Sequence, residues 1–378
     1  MKFAFCLYKY FPFGGLQRNM LKIAEECKRR GHEVDCYVRH WEGDQPEWMS
    51  VFRYPVRAVT NIGKDAAFVR KISPVLQKTE YDVTVGFNRI PGVDVFYAAD
   101  PCLITQYATR SRFYRLTRRY QYRYAWEKQL FGRQSSTTIF VLTRQAMQTF
   151  QENYETPEDR FKILPPNLDA EKIRPENYQE SPSEIRTELG LQSDTLLLLT
   201  VASAFETKGV DRVIKAIAEL PSELNKKISY VVVGNGKTGK NRCLARKLGI
   251  ENKVIFTGGR HDVPSFYRAA DLMVHPARVE NTGTVLLEGM AMGLPVIATD
   301  VCGYAGYIKE NEAGKVLPSP FNQECLTENL KTTLERQDIL EKWANNGLML
   351  GKQEELYQRH TKAADIIDKY AEHKRQRY

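Results

Sequence analysis

A strand-like run, a glycine turn and an amphipathic helix open this chain, and the same alternation restarts after residue 190. In the first stretch Phe3 to Tyr8 suits a buried strand, Pro12, Gly14 and Gly15 make a turn, and Leu16, Met20, Ile23 and Cys27 recur at helical spacing until Gly31. Glu33–Val38, Val51–Val56, Asp82–Phe87, Val93–Ala98 and Thr138–Leu142 are further strand candidates, with helical runs between several of them. Such a rhythm requires a mostly parallel sheet covered by helices on both faces. It fails between Pro165 and Ser183, where Pro165, Pro166, Pro175 and Pro182 sit among polar residues, and it resumes with Thr195–Val201, Ile228–Val233, Val254–Thr257, Leu272–His275 and Pro295–Thr299. The expected fold is therefore α/β, with two Rossmann-like doubly wound domains at 1–165 and 186–352 and a linker at 166–185. A C-terminal helix within 353–378 is expected to pack back on the first domain. Two such units facing each other form an interdomain cleft at the carboxyl ends of their strands, where open α/β sheets bind ligands.

A length of 378 residues suits two domains. No run of about 18 apolar residues occurs, so no bilayer-spanning helix is expected. The first ten residues are interrupted by Lys9 and lack the length of a secretory signal. Seven scattered cysteines without a CxxC pair fit reduced thiols in the cytosol rather than disulfides or a zinc site. A formal charge of +9 favours polyanionic partners: nucleic acid, anionic lipid or phosphorylated sugar.

Two glycine-rich loops follow strands. Gly234-Asn235-Gly236-Lys237-Thr238-Gly239-Lys240 satisfies both GxGxxG and GxxxxGK. However, Asn241 stands where a P-loop needs Ser or Thr, and a strand already precedes this one in its domain, against the dinucleotide pattern. A βα turn near a nucleotide cleft accounts for it better. Gly14-Gly15 opens the first helix, where bare backbone N–H groups and the helix dipole suit a diphosphate.

The stretch from His275 to Pro295 carries the chemistry. A strand ends at His275, a loop carries Glu280 and Asn281, and a helix begins near Gly283, so Glu288 lies in its second turn. A carboxylate on that flank is able to accept from the ribose hydroxyls, the helix N-terminus faces the diphosphate, and Glu280 meets the sugar. Glu288 lies among Val285, Leu286, Leu287 and Met290, and a carboxylate in such surroundings needs a partner.

Glu280, Glu288 and the Gly293-Leu294-Pro295 turn resemble the signature of the retaining GT-B glycosyltransferases of the family four type: two glutamates with seven residues between them, then G-x-P. Ala202 to Asp211 looks like that family's phosphate-lysine segment. The resemblance implies that Lys208 neutralises charge on the departing β-phosphate, while Ala202 and Thr207 stand where an accompanying arginine is usual. Tyr8 to Arg18, Val85 to Asn88, Tyr97 to Asp100 and Val301 to Ala305 extend the likeness, over nearly the whole chain, to the lipopolysaccharide core heptose glucosyltransferases. This implies UDP-glucose as donor and an inner-core heptose on lipid A as acceptor, the step that initiates the outer core. Asp100 matches an acidic position of the acceptor cleft, and Gly306 replaces another. Donor contacts are expected from Gly14, Gly15, Lys208, Glu280, Asn281, Thr282, Gly283 and Glu288, with Lys208, Glu280 and Asp100 as the catalytic set.

Between Asp100 and Gln134, eight basic residues face only Glu127 and are interleaved with aromatics. Arg110, Arg112, Arg115, Arg118, Arg119, Tyr120, Arg123 and Trp126 are the expected contacts with acceptor or membrane, on the cytoplasmic face of the inner membrane. RNA binding would use the same ingredients. With no DxD motif, no essential metal is expected. The resemblance implies same-face attack through an oxocarbenium-like state without a covalent enzyme nucleophile. UDP-galactose or a UDP-N-acetylhexosamine as donor, a GT-B-like nucleotide-sugar epimerase, and a basic RNA- or membrane-binding scaffold are the rival readings.

Overall fold

The computed structural model describes all residues except 13, 108–110, 174–181 and 377–378. It divides into two units, Met1–Asn167 with Gln358–Tyr378, and Leu168–Tyr357.

The first unit is built on a seven-stranded parallel sheet: β1 (Lys2–Tyr10), β2 (Glu33–Trp41), β3 (Ser50–Arg53), β4 (Val83–Gly86), β5 (Val95–Tyr97), β6 (Thr138–Val141) and β7 (Phe161–Ile163), in the order β3-β2-β1-β4-β5-β6-β7. Successive side chains of a strand point to opposite faces. Phe3, Phe5 and Leu7 accordingly enter one core with Met20 and Ile23, while Ala4 and Cys6 enter another with Phe68, Ile72 and Leu130. Strand order reverses between β1 and β4, the switch point at which such sheets bind ligands.

The helix Arg359–Arg375 belongs to this unit. It packs on the helix Gly15–Arg29 and buries Ala363, Ala364 and Ile367. Arg30 pairs with Asp365 and Asp368, Lys374 with Asp94 and Arg375 with Asp82. Near the start of this helix His360 Nε2 lies 2.9 Å from Asn19 Oδ1. Burial, with the neighbouring Arg359 and Lys22, pushes its imidazole down to about 4. A depressed histidine adds stability above its unfolded pKa of about 6.5 that is lost as pH falls toward the folded value. Between pH 7 and 4.5 this group alone should cost the first unit about 2 kcal/mol, and His360→Gln should flatten that part of the denaturant-melt profile.

The second unit carries a six-stranded parallel sheet: β8 (Leu196–Val201), β9 (Ile228–Val233), β10 (Val254–Gly258), β11 (Leu272–His275), β12 (Val296–Thr299) and β13 (Gly314–Leu317), in the order β10-β9-β8-β11-β12-β13. Its switch point lies between β8 and β11. Leu168, Ile173 and Ile185, within the stretch read as linker, pack into this unit's core, because apolar side chains recur between the prolines. Leu356 does the same, so the chain leaves this unit at Tyr357, a few residues beyond the expected boundary at 352. β7 and β13, absent from the sequence reading, each add an edge strand to a sheet.

Candidate active site

The two loops that flank the β8/β11 switch point carry Lys208 and Glu280. After β8 the chain turns through residues 202–209 into the helix Val210–Ala218. Gly209 at the turn has φ +75°, and a Cβ there would lie 2.1 Å from the Pro276 carbonyl oxygen, so the lysine loop rests directly on the backbone leaving β11. Lys208 Nζ lies 2.6 Å from Glu280 Oε2, with only 19% and 14% of the two side chains exposed. Glu280 Oε1 accepts from the Asn281 backbone N–H at 3.0 Å, and His275 Nε2 stands 3.4 Å from Oε2. Burial opposes ionisation of Glu280, yet the bonds and charges of His275 and Lys208 outweigh it and bring the carboxyl down to about 2.

Gly283 caps the helix Thr284–Ala291, and the Tyr304 N–H holds the carbonyl of Thr282 at 2.8 Å. Glu288 has the partner its apolar setting required: the fully buried Tyr267 donates its hydroxyl to Oε2 at 2.7 Å. Burial first, then the Glu288 charge, pushes the Tyr267 phenol well up. Lys208, Glu280, Asn281, Thr282 and Gly283 thus converge in the second unit, and Glu288 stands on the helix that follows.

Sequence reasoning missed four residues here. His275 and Tyr267 hold the two glutamates. Arg278 donates to the Glu206 carbonyl and, through two bonds of 2.7 Å, to Asp211, while Arg212 donates to the carbonyls of Pro276 and Ala277. These arginines fasten the two loops together. No spacing in the sequence marks either of them. The Gly234 loop is explained by packing: a Cβ on Gly234, at φ +133°, would strike the Ala202 carbonyl at 1.9 Å. Among the described residues no three His, Cys, Asp or Glu side chains gather as a metal site.

The remaining expected residues lie in the first unit. Gly14 caps the helix Gly15–Arg29 without a side chain of its own to bond the first N–H groups, and the space around a Gly15 Cβ is open. Asp100 is exposed and pairs with Arg89 at 2.8 Å. Arg115, Arg118 and Arg119 are exposed beside Phe113 and Leu116, which are 80% and 74% exposed. Arg123 turns inward to the Tyr107 hydroxyl. Tyr120 and Trp126, expected as surface contacts, are buried instead: Trp126 enters a core, and Tyr120 stacks on Tyr124. Arg110 and the side chain of Arg112 lie outside the described residues.

Known proteins match both the sequence and this geometry. Residues 13–172 match the family model described as Glycosyltransferase Family 4, and residues 182–348 that of Glycosyl transferases group 1. The chain is 42% identical over 365 residues, 96% of its own length and 98% of the relative's, to lipopolysaccharide glucosyltransferase WaaG of Escherichia coli (strain K12). It belongs to the WaaG family of glycosyltransferases. A crystal structure of WaaG, described as a glycosyltransferase involved in lipopolysaccharide biosynthesis, superposes with a TM-score of 0.83 over 97% of this chain and 99% of that one. Anabaena HepE, solved in complex with UDP, shares the fold at 17% identity, with a TM-score of 0.73 over 98% of this chain and all of its own. As a member of the WaaG family the chain is a hexosyltransferase of GT-B architecture. Among the described residues no helix is long and apolar enough to cross a membrane.

Proposed function

We propose that this chain transfers glucose from UDP-glucose to an inner-core heptose of lipopolysaccharide, with retention of configuration and without an essential metal, as a peripheral protein on the cytoplasmic face of the inner membrane. The observation that carries the proposal is the 2.6 Å Lys208–Glu280 pair at a strand switch point, in a chain 42% identical to a lipopolysaccharide glucosyltransferase. Lys208 takes the developing charge on the β-phosphate, the N-terminus of the helix beginning at Thr284 faces the diphosphate, and Glu280 contacts the glucose with Asn281 and Thr282. Glu288 holds the ribose hydroxyls. Fixed charges and dipoles aimed at a leaving group supply the largest catalytic term in such a site. The acceptor oxygen attacks the face from which UDP departs, giving retention.

In the first unit, the side-chain-free turn at Gly14 and Gly15 lets the donor approach the N-terminus of its helix, and Asp100 contacts the acceptor. Arg115, Arg118 and Arg119 meet anionic headgroups while Phe113 and Leu116 enter the interface, a pairing that strengthens peripheral binding. Incubation with UDP-glucose, UDP-galactose and UDP-N-acetylglucosamine against heptose-terminated truncated lipopolysaccharide, followed by linkage analysis, tests the reading. An α-linked glucose on heptose is expected. Transfer of a different sugar, or turnover of donor without any acceptor, would overturn it.

The ribose assignment has its own test. Glu288→Ala should weaken UDP binding by roughly tenfold or more, since a hydrogen bond to a charged group is worth about 1.5–3 kcal/mol. Tyr267→Phe, which removes only the brace, should cost less. Unchanged UDP affinity of Glu288→Ala in calorimetry would remove Glu288 from the ribose site.

A further inference from the structure

β11 ends at His275, and the chain then reverses through residues 276–279 to bring Glu280 back against the ring. The imidazole is 1% exposed. Its Nε2 faces Glu280 Oε2 at 3.4 Å, and its Nδ1 is buried without a hydrogen-bond partner among the described residues. A ring nitrogen that faces a carboxylate carries a proton, so Nε2–H is the donor. An apolar side chain at the end of a buried strand would avoid the unpartnered Nδ1, so packing gives no reason for a histidine here. Its bond to Glu280 does.

That bond matters most when Lys208 is called away. In the free chain Glu280 Oε2 is shared by Lys208 at 2.6 Å and His275 at 3.4 Å, and Oε1 is taken by the Asn281 N–H. On the proposed glucosyl transfer, Lys208 must turn to the departing diphosphate. Glu280, with 14% of its side chain exposed, would then lose its nearest cation with little water to replace it. A largely buried carboxylate stripped of its partner moves or takes up a proton. We infer that His275 is a positioning residue for Glu280: its Nε2–H holds the carboxylate toward the sugar while Lys208 exchanges it for the diphosphate. At 3.4 Å the contact is long for an N–H···O bond, and it shortens once Lys208 has released Oε2. The inference rests on the donor-site reading above and adds to it a residue that touches neither donor nor acceptor.

Gln and Asn separate this role from packing. The amide nitrogen of Gln at position 275 reaches the place of Nε2, whereas that of Asn reaches only the place of Nδ1. His275→Gln should keep kcat within about threefold, and His275→Asn should lower it roughly thirtyfold, the scale of a catalytic group misplaced by a fraction of an ångström. UDP affinity by calorimetry should change less than about twofold in both, because the loss falls on kcat and not on nucleotide binding. In a Glu280→Gln background, His275→Asn should lower kcat no further. Equal kcat for the two variants, or a loss of UDP affinity matching the loss of turnover, would overturn the inference and leave His275 a packing residue. Failure of the unsubstituted chain to transfer any UDP-hexose sinks the donor-site reading as well, so the two failures are told apart within one assay.

Discussion

Replacing Lys208 with Ala should lower kcat for glucosyl transfer by roughly a hundredfold to a thousandfold, the effect of removing one donor from a preorganised anion site, or about 2.7–4 kcal/mol of barrier. The magnitude follows from the setting. The ammonium is held in a loop that Gly209 lays on the backbone after β11, fastened by Arg212 and Arg278, and it is largely shielded from water. A cation fixed in this way needs little reorganisation as charge gathers on the leaving diphosphate. Lys208→Arg should not restore full activity, because the planar guanidinium cannot occupy the volume of an ammonium already 2.6 Å from a carboxylate. UDP affinity should fall by much less than kcat, since the interaction is strongest in the transition state. Near-normal turnover of Lys208→Ala, measured at saturating UDP-glucose, would remove the lysine from the chemistry.

The switch-point geometry behind this result was legible from sequence wherever a strand is central and β-branched or apolar throughout. β1, β8 and β9 announce themselves, and the order in which strands alternate with helices leaves few topologies open. β7 and β13 did not, because each is short and Lys162 or Lys315 interrupts its brief apolar run. Within the site, Glu280 and Glu288 were read from their place after a strand and from the family's spacing of two glutamates, and Lys208 from the likeness of its segment to the family's phosphate-lysine loop. His275 was hidden by looking like the last residue of a strand. Its contact with Glu280 arises from a backbone reversal that spacing alone does not reveal. Tyr267 reaches Glu288 from a separate helix, a pairing that only the packed structure brings about. In the basic segment, composition identified the residues but not their directions. Arg118 and Arg119 lie at the start of their helix while Tyr120 and Trp126 turn to the interior, and charge on several faces leaves the helix without the clear apolar stripe that reveals its buried side.

That segment is anchored from beneath by a buried ion pair, and breaking it should produce the largest stability loss in the first unit. Glu127, fully buried on the helix Arg118–Phe131, accepts from Arg89 Nε at 2.5 Å, from the Leu103 N–H at 2.7 Å and from the Tyr154 hydroxyl at 3.0 Å. Arg89 also donates to the Pro101 carbonyl and to Asp100. Arg89→Met should destabilise the first unit by about 3–5 kcal/mol in denaturant melts, because it leaves the buried carboxyl of Glu127 dry and without its cation. The double variant Arg89→Met with Glu127→Gln should recover at least about 1 kcal/mol of that loss, since the neutral amide oxygen still accepts from Leu103 and Tyr154 while the stranded carboxyl is gone. If instead the double variant were less stable than Arg89→Met alone, the stranded carboxyl would not be the source of the loss. The same arginine orients Asp100, the proposed acceptor contact. The double variant should therefore regain stability without regaining full acceptor turnover, which separates the structural role of the pair from its hold on the acceptor side.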